Sequence, residues 1–205
     1  MATTPSSVAR SRPRTEAKLR EAVATVLAER GFGALTPSAV ARAAGVDKML
    51  IYRYFGGLDG LVEAVANGPD FFPTFDEICA GDPAALRALP IAERAAAMLD
   101  TYAHLLMARP MVLELMVWEL VERNELTAIM ETAREAGGQR LAREMFDDVG
   151  DPARMNAVMA LLAAGVTYLA LRRRKIRWFN GVDLKSDQGW AQLRQAVVEM
   201  TAGLA

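Results

Sequence analysis

The chain has 205 residues, 52% hydrophobic and 24% charged, with a formal net charge of −1; it can bury a core and is neither disordered nor fibrous. Its single Cys79 and single His104 exclude an internal disulfide, a cysteine metal cage and a multi-histidine site, so no metal is expected. The charge is uneven: residues 1–57 carry nine Lys or Arg against four Asp or Glu, net +5, and the remainder is net −6, so one end attracts a polyanion and the other does not.

The opening "MATTPSSVARSRPR" is polar, Ser/Thr-rich and basic, unlike a secretory leader; residues 1–13 read as a flexible basic arm. A first helix starts near Thr15 with Leu19, Ala22, Val23, Val26 and Leu27 on one stripe, and Gly31 ends it. Thr36 is the expected N-cap and Pro37 the first-turn proline of a second helix that runs to Ala44 and stops at Gly45. Asp47 then caps a third helix that ends at Phe55, before Gly56 and Gly57. Two short helices joined by a tight glycine turn form a helix-turn-helix, whose second helix can lie in the major groove of DNA. Val40, Val46 and Ile51 fill the core between them. Lys48, Met49, Tyr52 and Arg53 are left facing outward, with a cation, an apolar contact and phenol hydrogen bonds to offer base edges and phosphates.

The stretch "GFGALTPSAVARAAGVDKMLIYRYFGGLDGLVEAV", Gly31 to Val65, resembles the N-terminal DNA-binding region of the tetracycline-repressor-like (TetR) family of bacterial transcriptional regulators. The likeness extends to the Ala-Gly-Val turn and the Tyr-x-Tyr-Phe end of the third helix, and covers roughly residues 14–66. It implies a homodimer on a roughly palindromic operator, usually a repressor released by a small ligand. By position it implies DNA contacts from Thr36 and Ser38 at the start of the second helix and from Lys48, Met49, Tyr52, Arg53 and Tyr54 on the recognition helix. Two residues depart from the family pattern. Met49 stands where a small residue is common, which suggests a thioether contact with a thymine methyl. Leu58 stands where a phosphate-binding Lys is usual, a loss that Arg10, Arg12 and Arg14 of the arm could offset.

Beyond a fourth helix, Leu58 to Ala66, the segment Gly68 to Pro90 is rich in Pro, Gly and Asp and reads as irregular connections, with a domain boundary near Asn67. Ile91 to Leu106 keeps helical spacing up to Pro110; "MVLELMVWELVER" follows, apolar nearly all round; Leu126 to Met145 stripes another helix. The apolar run Ala157 to Leu171 is 15 residues end to end, short of the roughly 20 that span a bilayer, so no membrane role is expected. The basic run after it, Arg172 to Arg177, reads as cations serving the helix end. A last helix carries Trp190, Leu193, Val197 and Met200 on one side. No βαβ alternation appears. The expected fold class is all-α, with a helix-turn-helix domain over 14–66 and a larger helical ligand-binding and dimerisation domain over 67–205.

No GxxxxGK[ST], HExxH, GxSxG or CxxC motif occurs, and "GFGALT" follows a helix where a dinucleotide site needs a strand. Neither catalysis nor a cofactor is expected. Met98, Tyr102, Met116, Trp118, Glu122, Met130 and Tyr168 are candidates for an effector pocket with apolar walls, Glu122 being the charged anchor. Leu161, Ala164 and Tyr168, with Trp190, Leu193 and Val197, are candidates for a four-helix dimer interface. The expected protein is a cytoplasmic, ligand-responsive repressor. Its rival is a helical small-molecule-binding or catalytic protein without specific DNA binding.

Overall fold

A computed structural model describes residues 7–68 and 71–204. Among them are eleven α-helices and one two-stranded antiparallel hairpin. The chain forms two compact units: one comprises the chain up to Phe72 together with Glu114–Arg134, the other Pro73–Leu113 and Glu135 onward. The expected boundary near Asn67 lies just before the end of the first continuous stretch. The return of Glu114–Arg134 to the N-terminal unit has no counterpart in the sequence reading.

In the first unit, α1 spans Ser7–Arg30, eight residues before the expected start. The expected flexible arm is therefore corrected from Ser7 onward, while residues 1–6 lie outside the described residues. Pro13 removes one ladder hydrogen bond inside this helix. Arg12 secures the stretch, its Nε 2.8 Å from Glu16 and its guanidinium 5.0 Å from the Tyr54 ring centre. Gly31, at φ 75°, turns the chain where an added Cβ would stand 3.0 Å from the Trp118 ring, so both backbone and packing require glycine.

Helix α2 spans Pro37–Ala44 with Thr36 as N-cap, its hydroxyl accepting the Ala39 N–H at 3.1 Å. Gly45, at φ 65°, closes α2 in the left-handed region that a residue with a Cβ resists. Helix α3 spans Met49–Phe55. Asp47 caps it as expected in kind, its Oδ1 accepting the Met49 N–H at 2.8 Å, although Lys48 occupies the N-cap position. Helix α4 spans Leu58–Ala66, matching the reading. Leu19, Leu27, Val40, Ile51, Leu61 and Val62 are fully buried at the centre of this unit, joined by Leu115 and Met130.

In the second unit, α5 (Phe75–Ile78) carries a reciprocal Thr74/Glu77 capping box and α6 (Pro83–Arg87) is capped by Asp82; the segment read as irregular thus holds two short helices. α7 spans Ile91–Ala108. α8, Pro110–Val121, begins in this unit and continues in the first, and α9, Glu125–Met145, begins in the first and ends in this one. α10 spans Pro152–Arg173, 22 residues, capped by Asp151. This corrects the expectation that the apolar helix is too short to span a bilayer, for by length and composition it qualifies, with only 17% of its apolar window buried in the chain. α11 spans Asp187–Thr201 and packs on α7, as α10 does.

Between α10 and α11 lies the hairpin, β1 (Trp178–Phe179) and β2 (Val182–Asp183), with Trp178 opposite Asp183. Its turn is Asn180-Gly181, both at positive φ, a pair suited to a two-residue hairpin turn. The preceding cations serve this hairpin: Arg177 Nη2 donates to Asp183 Oδ2 at 2.9 Å and Arg173 Nε to the Leu184 carbonyl at 2.9 Å. The hydrogen bond from Arg177 holds the Asp183 carboxyl below the usual range.

Candidate nucleic-acid interface

The α2–α3 pair sorts its side chains by helical periodicity. Ile51 is fully buried and Leu50 and Phe55 pack against the core, which anchors α3 on one side. Lys48, Met49, Tyr52 and Arg53 are exposed on the other, Met49 by 60% and Tyr52 by 48%. Thr36 and Ser38 are exposed at the start of α2, where unpaired helix N–H groups and the positive dipole end favour a phosphate. All six residues are exposed on a helix pair capped by Thr36 and Asp47 and turned by Gly45, and such a pair can position a reading helix on a duplex.

Tyr54 differs from the other four recognition-helix candidates. It is half-buried, packed on the core, with Arg12 at 5.0 Å and Arg53 at 6.0 Å from its ring centre. Its ring is a stacking platform for two guanidinium groups. Arg20 stands likewise 5.9 Å from the Phe55 ring centre. Glu16 lies 2.8 Å from Arg12 and 4.0 Å from Arg20, one helical turn from each. The basic edge of α1 is thereby tied to α3, a feature the sequence reading missed although the i, i+4, i+8 spacing of Arg12, Glu16 and Arg20 signals it. Leu58 is half-buried against the same core, so it packs where a lysine would reach for phosphate.

Residues 19–65 match the profile of the bacterial regulatory proteins of the tetR family. They are a TetR-family DNA-binding region. Among curated protein sequences, none matches the chain. Among solved structures, the fatty acid degradation regulator FadR from Bacillus halodurans is similar at 15% identity and a TM-score of 0.63, covering 97% of each chain. A TetR-like transcriptional regulator from Rhodococcus sp. RHA1 is similar at 18% identity and a TM-score of 0.61, covering 98% of this chain and 100% of that one. A TetR-family regulator from Streptomyces coelicolor A3 gives 18% identity and 0.57, over 98% and 99%. At these identities the likeness establishes the fold: all-α, an N-terminal helix-turn-helix domain and a C-terminal helical domain, as in TetR-family transcriptional regulators.

Within this TetR fold the seven effector-pocket candidates fall in both units. Met116, Trp118, Glu122 and Met130 belong to the first, and Met98, Tyr102 and Tyr168 to the second. Met130 and Met98 are buried in the cores of their respective units. The Trp118 ring abuts Gly31, and Glu122 Oε2 accepts the Gly33 N–H at 2.9 Å. Both therefore hold the turn between α1 and α2. Tyr102 Oη lies 3.4 Å from Thr167 Oγ1, and Tyr168, 48% exposed, meets the Phe179 ring edge-on at 5.8 Å.

The interface candidates also divide. Leu161, Ala164 and Tyr168 lie exposed along one side of α10, Leu161 by 75%, and Leu193 on α11 is half-buried. Trp190 and Val197 are buried within the single chain: the Trp190 indole donates to the Leu184 carbonyl at 3.0 Å, and Val197 packs with Ala96 and Leu99 of α7. Of the six candidates, those exposed in the single chain all lie on α10.

Proposed function

We propose that the chain is a ligand-responsive transcriptional repressor that binds a roughly palindromic operator as a homodimer and is released by a small, largely apolar molecule. The observation that carries this reading is the exposed face of Lys48, Met49, Tyr52 and Arg53 on a helix fixed from behind by Ile51 and from below by the Gly45 turn. Its setting is basic, with net +5 over residues 1–57, which favours duplex DNA. In this reading Thr36 and Ser38 take a phosphate, Lys48, Met49, Tyr52 and Arg53 meet bases and phosphates, and Tyr54 holds Arg12 and Arg53 in place. The domain over 67–205 supplies effector binding and dimerisation, without catalysis or cofactor, in the cytoplasm.

Two copies related by a two-fold axis through α10 would set recognition helices about 34 Å apart or at a multiple of it, the spacing of successive major grooves. The exposed stripe of Ala157, Leu161, Ala164 and Tyr168 suits a second helix better than lipid, since its small residues permit close approach. The Met-rich second core, with Met98, Met145, Met155 and Met159, is adaptable enough to receive bulky apolar compounds. The similar Bacillus halodurans protein is a fatty acid degradation regulator, which puts acyl compounds first among the probes.

Fluorescence anisotropy with duplex DNA from the chain's own promoter region tests the reading surface. Lys48→Ala and Tyr52→Ala should each weaken specific binding by about 1–3 kcal/mol with unchanged helical circular dichroism. Unchanged affinity in both variants would move the reading surface elsewhere. A helical protein without specific DNA binding would show no preference for this duplex over a scrambled one.

A further inference from the structure

The end of α8 and the first half of α9 enclose a cleft of about 210 Å³ within the first unit, lined by Glu119, Leu120, Arg123, Thr127, Glu131 and Arg134. Its floor is unusual. The Glu119 side chain is 10% exposed and its Oε2 lies 2.6 Å from Arg134 Nη1, yet among the described residues neither that Nη1 nor the buried Glu119 Oε1 has a hydrogen-bond partner. Burial pushes the Glu119 carboxyl above the ordinary range, against the pull of Arg134. At the rim, Arg123 pairs with Glu131, and both are largely in solvent, 71% and 49% exposed, so this pair opens at little cost. Thr127 is spoken for: its hydroxyl donates to the Asn124 carbonyl and accepts the Asn124 N–H, closing the cap of α9.

We propose that this cleft binds a small zwitterion of the α-amino-acid class, its ammonium group on Glu119 and its carboxylate on Arg123. The charge count favours a ligand of no net charge, and the separate carboxylates and guanidinium groups of the lining favour one that carries both charges. Two carboxylates face two guanidinium groups, so the lining is neutral; a simple cation would add charge beside two arginines and a simple anion beside two glutamates. A zwitterion adds no net charge, supplies the donor that Glu119 Oε1 lacks, and gives Arg123 an acceptor when Glu131 swings out. Leu120, 83% exposed at the edge, offers an apolar side chain a place to lie.

The cleft also has a route to the DNA-binding helices. Trp118 precedes Glu119 and Glu122 follows it by less than a turn, and these two hold Gly31 and Gly33 ahead of α2. Filling the cleft loads the segment that fixes the start of α2, so occupancy lowers DNA affinity; this coupling rests on the DNA-binding reading above, whereas the binding itself does not.

Calorimetric titration of the full chain, without DNA, with each of the twenty common L-amino acids tests the site. At least one should bind saturably, and its decarboxylated amine and its deaminated acid should bind at least tenfold more weakly. Glu119→Gln and Arg123→Ala should each weaken the best binder at least tenfold; Arg123 is a solvent-exposed rim residue, so that variant keeps its thermal midpoint. No binding by any of the twenty, or undiminished binding in both variants, overturns the site. Anisotropy with promoter DNA then reads the coupling: the best binder should weaken DNA binding several-fold, and unchanged DNA affinity at saturation overturns the coupling. A chain that binds the amino acid and no DNA would instead overturn the repressor reading and leave the site standing.

Discussion

Leu161→Arg is expected to convert the protein from dimer to monomer and to abolish operator binding at the same time. Leu161 is 75% exposed in the single chain and sits mid-way along the stripe of α10 that also carries Ala157, Ala164 and Tyr168. An arginine there changes nothing within the chain but places two symmetry-related cations in an apolar seam, at a cost of several kcal/mol if they stay unpaired. A monomer holds one half-site only, so the avidity of two linked reading heads, on the order of 10² or more, is lost. Light scattering at micromolar concentration gives the mass and anisotropy the affinity. A variant that remains dimeric, or a monomer that retains full operator affinity, would remove α10 from the interface.

Arg94→Met should be strongly destabilising, by about 2–3 kcal/mol, because it strips the donor from two main-chain carbonyls while Asp148, 41% exposed, stays solvated. Arg94 is one of the few buried charged residues, 3% exposed, and its guanidinium spans the start of α7 and the turn after α9. Its Nη1 and Nη2 donate to the two oxygens of Asp148 at 2.8 and 3.0 Å, Nη2 to the Leu89 carbonyl at 3.1 Å, and Nη1 to the Met145 carbonyl. The Phe146 ring centre lies 5.8 Å away. Methionine keeps the aliphatic stem and forfeits every one of these bonds. Denaturant unfolding reads the loss, and a change within 1 kcal/mol would show that the network contributes little.

The same pair predicts an acid dependence. The hydrogen bonds from Arg94 hold the Asp148 carboxyl below its ordinary range in the folded chain. A folded-state pKa below the unfolded one stabilises fully above the unfolded value, near 4, and the contribution fades as pH falls through the folded value. Wild-type stability should therefore drop below about pH 4 with a steeper slope than that of Arg94→Met, in which Asp148 loses the largest of the influences that lower its pKa.

Local signals made the DNA-binding helices legible. Thr36, Pro37 and Gly45 each act through neighbours within a turn, so α2 and the ends of α3 and α4 fall close to the sequence reading. Partners distant in sequence were not legible. Nothing near Glu122 announces that its carboxylate accepts the N–H of Gly33, 89 residues away, nor does the Trp118 neighbourhood point to Gly31. Both residues looked like pocket walls because a large aromatic and a charge in an apolar helix read alike for a ligand and for a distant loop. Trp190 and Val197 posed the same ambiguity on α11, where the stripe that faces α7 cannot be told by periodicity from one that faces a second copy. The Asn180-Gly181 turn was readable in principle, but strands of two residues are too short to show alternation.

Selection of duplexes from a random-sequence pool by the full-length chain, followed by sequencing, tests the central claim most directly. The account predicts enrichment of one two-fold-symmetric motif, with half-sites separated by about 10 base pairs or a multiple of it, and an affinity for it that falls steeply with salt. Recovery of no enriched motif at any salt concentration would contradict it.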